Sequence, residues 1–293
     1  MASWWLSFHG DTGITNLQTF TTAGTLDNSA LLQPPPSASG WTLDELRGFV
    51  FDTDGNLYVA NASGSNSAIL CYSPSAGSQL SFTGAFASDN ITHPFDLVLA
   101  FSSCLFVSNQ THSGAGGNNV TYYQGFPYST TGSYAGTFAG GFTDVRGLAF
   151  DGTYLYVADA GGNTVTPYDS AGTAQAPIAI SQPDHLYFDR QRYLYIASEN
   201  SGGSDDCSIY LYDTTTPGSK PMPFLSNADP GFKSVSGFWF GGDGYLYVAN
   251  RTANEIERYA VTPGTPPICS STGSTFMTSS VLQDNPEFIQ LVS

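Results

Sequence analysis

The stretch LRGFVFDTDGNLYVAN, residues 46–61, carries the reading on which the fold rests. A short apolar run leads into a turn of Asp, Gly and Asn, and a second β-rich run follows and ends on Asn. That pattern is a hairpin of two buried strands. It returns as VRGLAFDGTYLYVAD at 145–159, PDHLYFDRQRYLYIAS at 183–198 and VSGFWFGGDGYLYVAN at 235–250, and in divergent form as PFDLVLAFSSCLFVSN at 94–109. Behind the first hairpin come two weaker runs, SAILCYSP at 67–74 and SQLSFTGAF at 78–86, making four strands per unit.

The copies begin at 46, 94, 145, 183 and 235, a spacing of 38 to 52 residues that suits the four-stranded blade of a β-propeller. A sixth start, NPEFIQLVS, has Pro286 in the place of Leu46. At the other end, WLSFHGDTGITNLQTFTTAG reads as a blade after its first strand, with His9 where other copies carry Asn61, Asp159 or Asn250. The expectation is all-β: one domain over 1–293, six blades of four strands, the last completed by residues 4–30. Pairing of the C-terminal strand with these N-terminal strands closes the ring and removes the exposed edges of an open sheet. No stretch has sustained helical periodicity, so a TIM barrel is excluded.

Of 293 residues, 41% are hydrophobic and 14% aromatic, enough to pack a large core. Eight Lys and Arg stand against 24 Asp and Glu, a net charge of −16. Binding phosphates demands basic density, so nucleic acid and anionic membranes are not expected partners. No apolar run has the length of a membrane span, and MASWWLSFHGD lacks the segments of a secretory signal. The neutral, polar surface, with Lys220 and Lys233 its only lysines, reads as that of an extracellular or cell-surface protein in mature form. Cys71, Cys104, Cys207 and Cys269 form no CxxC pair. They read either as four thiols or as two disulfides between neighbouring blades, Cys71 with Cys104 and Cys207 with Cys269.

The GFVFDTDGNLYVAN pattern resembles the NHL-repeat family and, more loosely, the gluconolactonase-like six-bladed propellers, across essentially the whole chain. That resemblance implies the fold. It leaves function open, because binding modules, lactonases and lyases share the scaffold.

In such a blade the inner strand starts on the face where the second strand ends, so both positions converge on one mouth of the central channel. The place of Arg47 is taken in later blades by Phe95, Arg146, Asp184, Ser236 and Glu287, and the next place by Gly48, Asp96, Gly147, His185, Gly237 and Phe288. In a chain poor in charge, Arg47, Asp96, Arg146, Asp184, His185 and Glu287 form the candidate ligand-binding set. One reading has the arginines grip an anion; the other has the charges pair into a plug. His9, His93, His112 and His185 map to the same face. His93, Asp184 and Glu287 offer one nitrogen and two carboxylates to a divalent cation, calcium or zinc. By resemblance, the peptidyl-hydroxyglycine amidating lyases carry a zinc-binding His directly after the Pro that opens an inner strand. Here Asp184 follows Pro183 and Glu287 follows Pro286. The Glu-Gly-Pro-Trp opening of gluconolactonase-like families is missing.

Asn61, Asn109, Asp159 and Asn250 read as turn caps, and Asp52, Asp54 and Gly55 as a hairpin turn rather than a calcium loop. The loops at 111–119 and 198–206 and the segment at 31–42 with Trp41 are Gly-, Ser- and Asn-rich connections. Three functions follow. The first is a noncatalytic propeller binding a polar or anionic small molecule, a glycan or a protein at the mouth. The second is a metal-dependent hydrolase or lyase with His185 as candidate acid or base, and the third a structural, surface-assembly protein.

Overall fold

The computed structural model describes residues 2–10, 16–62, 66–101, 104–111, 117–127, 129–199, 208–226 and 234–292. Six antiparallel sheets surround a common axis, each running outward from an inner strand. Five of the inner strands are Leu46–Phe51, Pro94–Ala100, Val145–Phe150, Pro183–Phe188 and Val235–Phe240, the starts expected from the repeat. The sixth blade takes its inner strand from Pro286–Val292 and its other three from Ser3–Phe8, Leu17–Thr21 and Leu26–Asn28. The ring closes as Trp4 pairs with Leu291 and Leu6 with Ile289. Blade five splits its outer edge between Ile268–Cys269 and Ser274–Met277. Among the described residues no helix is long and apolar enough to cross a membrane.

The core is six wedges, one between each pair of blades, because the axis itself is a channel. Strand alternation explains why the second strands are apolar on both faces. In Leu57–Asn61, Leu57 and Val59 pack toward blade six with Trp5 and Leu17, while Tyr58 and Ala60 pack toward blade two with Leu105 and Val107. Trp41 joins the first of these wedges as a half-buried side chain. Most of the loops at 111–119 and 198–206, and His112, lie outside the described residues.

The recurring Asp and Asn do architectural work at the two faces. At the hairpin turns Asp52 Oδ1 accepts the Asp54 and Asn56 amides while the Tyr58 hydroxyl donates to Oδ2, and Asp151 repeats this with Thr153, Tyr154 and Tyr156. At the other face Asn61 accepts the Asp44 amide, Asn109 that of Thr92, and Asp159 those of Thr143 and Asp144, tying each second strand to the entry of its own inner strand. Cys71, Cys104 and Cys269 are free thiols, so the Cys71–Cys104 bond does not form. Cys71 packs in the wedge between blades one and two and Cys104 in that between blades two and three, on opposite sides of blade two. Cys207 lies outside the described residues.

Candidate functional site

Each inner strand carries a one-residue bulge near its start. Leu46 pairs with Asn61 and Phe49 with Val59, so two residues, Arg47 and Gly48, stand opposite one. The shift recurs in the other five blades. A strand without a bulge would send adjacent side chains to opposite faces; the bulge turns both toward the axis. In the second position Gly48, Gly147 and Gly237 alternate with Asp96, His185 and Phe288. The glycines make room: a Cβ on Gly147 would stand 2.4 Å from the Asp184 carbonyl oxygen, and one on Gly237 2.4 Å from that of Glu287. Asp96, His185 and Phe288, from alternate blades, therefore stand at the axis and border a chamber on the side away from the mouth.

The mouth holds a circuit of charges. Arg47 donates to Glu45 at 3.0 Å and to Gln110 at 2.6 Å, Gln110 donates to Asp144 at 3.3 Å, and Arg146 donates to Asp144 through Nε and Nη2 at 3.1 and 2.9 Å. Across the ring Arg251 pairs with Glu199 and stands 4.0 Å from Glu287. Both guanidiniums of the sequence-derived ring, Arg47 and Arg146, flank the buried Phe95 face at 5.3 and 5.2 Å. Asp184, Arg146, Asp144 and Glu199 line a small cleft of about 160 Å³. The arginines thus meet the protein's own carboxylates, as buried charges require.

His9, Glu45 and Glu287 form a second knot in this circuit. His9 Nδ1 lies 3.1 Å from Glu45 Oε1 and 3.4 Å from Glu287 Oε1. The contacts to Glu287 and Glu45 raise the His9 pKa to about 9. Burial works against ionising Glu45, but the His9 hydrogen bond and Arg47 outweigh it and bring the carboxyl down to about 2. Burial also opposes the Glu287 charge, and Arg47 with His9 still holds it below the ordinary range. Two buried carboxylate oxygens of the mouth, Asp184 Oδ1 and Glu287 Oε2, have no hydrogen-bond partner among the described residues. Burial pushes Asp184 up to about 7, with Arg146 pulling the other way.

Of the six residues assigned to the mouth, Arg47, Arg146, Asp184 and Glu287 stand there. Asp96 and His185 instead border the opposite chamber. Asp96 accepts the amides of Leu97 at 2.8 Å and Leu148 at 2.9 Å, joining blades two and three, and burial lifts its pKa to about 7. His185 packs edge-on against Phe238 and Phe288, and burial lowers its pKa to about 4, against a weak pull from the Phe238 backbone. The trio His93, Asp184 and Glu287 does not assemble. Alternate blades hold these residues apart around the ring, and His93 Nε2 sits 3.1 Å from Arg47 Nη2. Among the described residues the one set of three donors within 4.8 Å of one another is His9, Glu45 and Glu287. Sequence reasoning missed Glu45. The signal was there in Glu45-Leu46-Arg47 and Asp144-Val145-Arg146, an acid two residues before each ring arginine.

These placements give a prediction about pH. Folded Asp96 keeps its proton up to about pH 7 while unfolded Asp loses it near 3.8, so this group costs stability as pH rises through that window. Folded His185 stays neutral down to about 4 while unfolded His protonates near 6.5, so it costs stability as pH falls. Relative to the parent, Asp96→Asn gains up to about 4 kcal/mol between pH 4 and 7, and His185→Phe gains up to about 3 kcal/mol on going from pH 6.5 to 4. Urea unfolding across that range checks both slopes.

No family model matches the chain, and no curated protein matches it in sequence. Solved structures do match. A periplasmic gluconolactonase of Pseudomonas aeruginosa shares 14% identity over 100% of this chain and 99% of its own, with a TM-score of 0.63. A chain of a nidogen/laminin complex shares 13% over 100% and 99%, with a TM-score of 0.65. A catalytically inactive virginiamycin B lyase from Staphylococcus aureus, solved with quinupristin, shares 12% over 83% and 73%, with a TM-score of 0.53. At such identity the likeness is one of fold. The chain is a six-bladed β-propeller, and gluconolactonase-like propellers are among the structures it resembles.

Proposed function

We propose that the mouth is a hydrolytic site for a small polar substrate of the cyclic-ester class, assisted by a divalent cation held by His9, Glu45 and Glu287. One observation carries this reading: an imidazole and two carboxylates converge within 4.8 Å where the channel opens. The donor chemistry, one nitrogen and two carboxylate oxygens, suits such an ion once it displaces the proton that His9 otherwise carries between the two carboxylates, so binding strengthens as pH rises. The unpartnered Glu287 Oε2 supports it too. A divalent cation held there would supply Lewis acidity toward a carbonyl oxygen.

The protein's own groups supply the rest. Arg47 keeps Glu45 ionised, and Arg251 stands behind Glu287. Asp184, with a pKa brought near 7, is poised to accept or give a proton at physiological pH. Arg146 beside it, in the cleft with Asp144 and Glu199, orients a polar substrate. That a gluconolactonase and a lyase are built on this scaffold accords with the reading. The pairing of Arg47, Arg146 and Arg251 with the protein's own carboxylates favours a second one, a noncatalytic mouth that binds a polar ligand.

Elemental mass spectrometry of protein purified without chelator separates the two. The catalytic reading expects about one divalent ion per chain, lost in Glu287→Gln, together with lactone turnover that falls roughly 100-fold in the same variant. Absence of both metal and turnover from the parent protein overturns it and leaves the binding mouth.

A further inference from the structure

On the side of the axis away from the mouth lies a chamber of about 770 Å³, opening on the face where the inner strands end. That volume lies in the range of sites for drug-sized molecules. Its walls are largely aromatic, with Phe49, Phe51, Phe150, Tyr187 and Trp239 among them. Tyr187 and Trp239 meet edge to face at 5.0 Å, and Leu99, in the lining from blade two, is 40% exposed. Aromatic and apolar surface left open in a concavity of this size suits the flat face of a ring.

The lining also carries a cation. Arg190 sits in the turn after the inner strand of blade four, exposed to solvent and bordering the chamber. Burial raises the Tyr187 pKa and Arg190 pulls against it, so the guanidinium charge is felt at a wall of the chamber. The turn itself does not call for an arginine. Arg190 has a φ of 63°, and the matching turn of blade three has Gly152 there at 97°, in left-handed backbone that favours glycine.

In a chain of net charge −16, an arginine without a carboxylate stands out. Arg47, Arg146, Arg192 and Arg251 each pair with one, and Arg258 lies over the Tyr245 ring. The Arg190 side chain has no ion-pair or hydrogen-bond partner among the described residues. Its neighbour Asp189 turns back on its own hairpin, where Oδ1 accepts the amides of Gln191, Arg192 and Tyr193. Nothing inside the chamber neutralises Arg190 either. Burial keeps the proton on Asp96 up to about pH 7 and leaves His185 uncharged. A guanidinium offers a fork of donors that matches a carboxylate.

We propose that this chamber binds an aromatic carboxylate, its ring held against the aromatic walls and its carboxylate paired with Arg190. The site is separate from the charged mouth and does not depend on the hydrolytic reading.

Calorimetric titration of the full chain near pH 6, with 2-naphthoate, its neutral amide 2-naphthamide and the aliphatic anion decanoate, tests it. The expected result is one site that prefers 2-naphthoate to decanoate and binds it roughly tenfold tighter than 2-naphthamide. Arg190→Gln, a change on an exposed turn, leaves 2-naphthamide binding as it is and brings 2-naphthoate down to the same level. The mouth arginines are intact in that variant, so it separates this site from anion capture at the mouth. Ala149→Trp, which fills the chamber from its wall, abolishes binding of both aromatic ligands. Circular dichroism melts report whether each variant is folded, and Arg190→Gln carries the test if Ala149→Trp is not. Four results overturn the proposal: no binding of 2-naphthoate, a preference over the amide that survives Arg190→Gln, decanoate binding as tightly as 2-naphthoate, or binding that persists in a folded Ala149→Trp.

Discussion

Removing residues 286–293 is expected to abolish cooperative folding, although it takes away only one strand. Pro286–Val292 is the inner strand of blade six and pairs with Ser3–Phe8 along its length. Phe288 and Ile289 are 5% and 2% exposed, and each such side chain contributes about 1.5–3 kcal/mol through burial. The same cut uncovers Trp4, Trp5 and Leu6 and leaves the Ser3–Phe8 edge unpaired at the axis. It also removes the Pro286 carbonyl that accepts the Ser236 hydroxyl at 2.6 Å, which links blade five to blade six. Against a total stability on the order of 5–15 kcal/mol, losses of this kind add to more than the ring can bear. Urea unfolding followed by tryptophan fluorescence checks the expectation: the shortened chain should lack a sigmoidal transition, and a synthetic peptide of residues 284–293 should restore one. A transition in the shortened chain near that of the parent would mean the N-terminal strands hold blade six without closure.

The second large effect comes from one methyl group. Gly147→Ala places a Cβ 2.4 Å from the Asp184 carbonyl oxygen and 3.0 Å from the Leu186 nitrogen, both backbone atoms that no rotamer change can move. Blades three and four must separate at the axis, and the expected loss is about 2–4 kcal/mol. The same displacement carries Asp184 away from Arg146, so the cleft they share is lost along with stability. Gly242→Ala is the matching control. Nothing lies within 4 Å of the Cβ it would gain, and its effect should stay within about 0.5 kcal/mol. Thermal melts of the pair decide the matter, and equal behaviour of the two variants would show that the inner strands are not in the tight contact described.

The charged ring was legible because the blade motif repeats regularly along the chain. Alignment of Arg47 with Arg146, Asp184 and Glu287 places them on one circle whether or not the bulge is foreseen. What could not be read was how the two adjacent positions divide the channel. Simple alternation sends Asp96 and His185 away from the axis; the bulge turns them inward beside Phe288, where they border the far chamber and not the mouth. His9, Glu45 and Glu287 were likewise invisible as a set. They lie at opposite ends of the chain, and each taken alone is an ordinary polar residue at a strand end.

Strand count, blade starts, ring closure and turn chemistry are properties of local pattern, and the amino-acid sequence determined them. Apolar alternation places each strand's two faces in two wedges, and Asp or Asn at a strand end satisfies the backbone next to it. These forces act over a few residues and repeat with the chain. Only the tertiary structure decided which charges pair, which three donors converge at the mouth and which thiols stay free. Those outcomes depend on distances across a closed ring, where a shift of one residue in register moves a side chain from one chamber to the other.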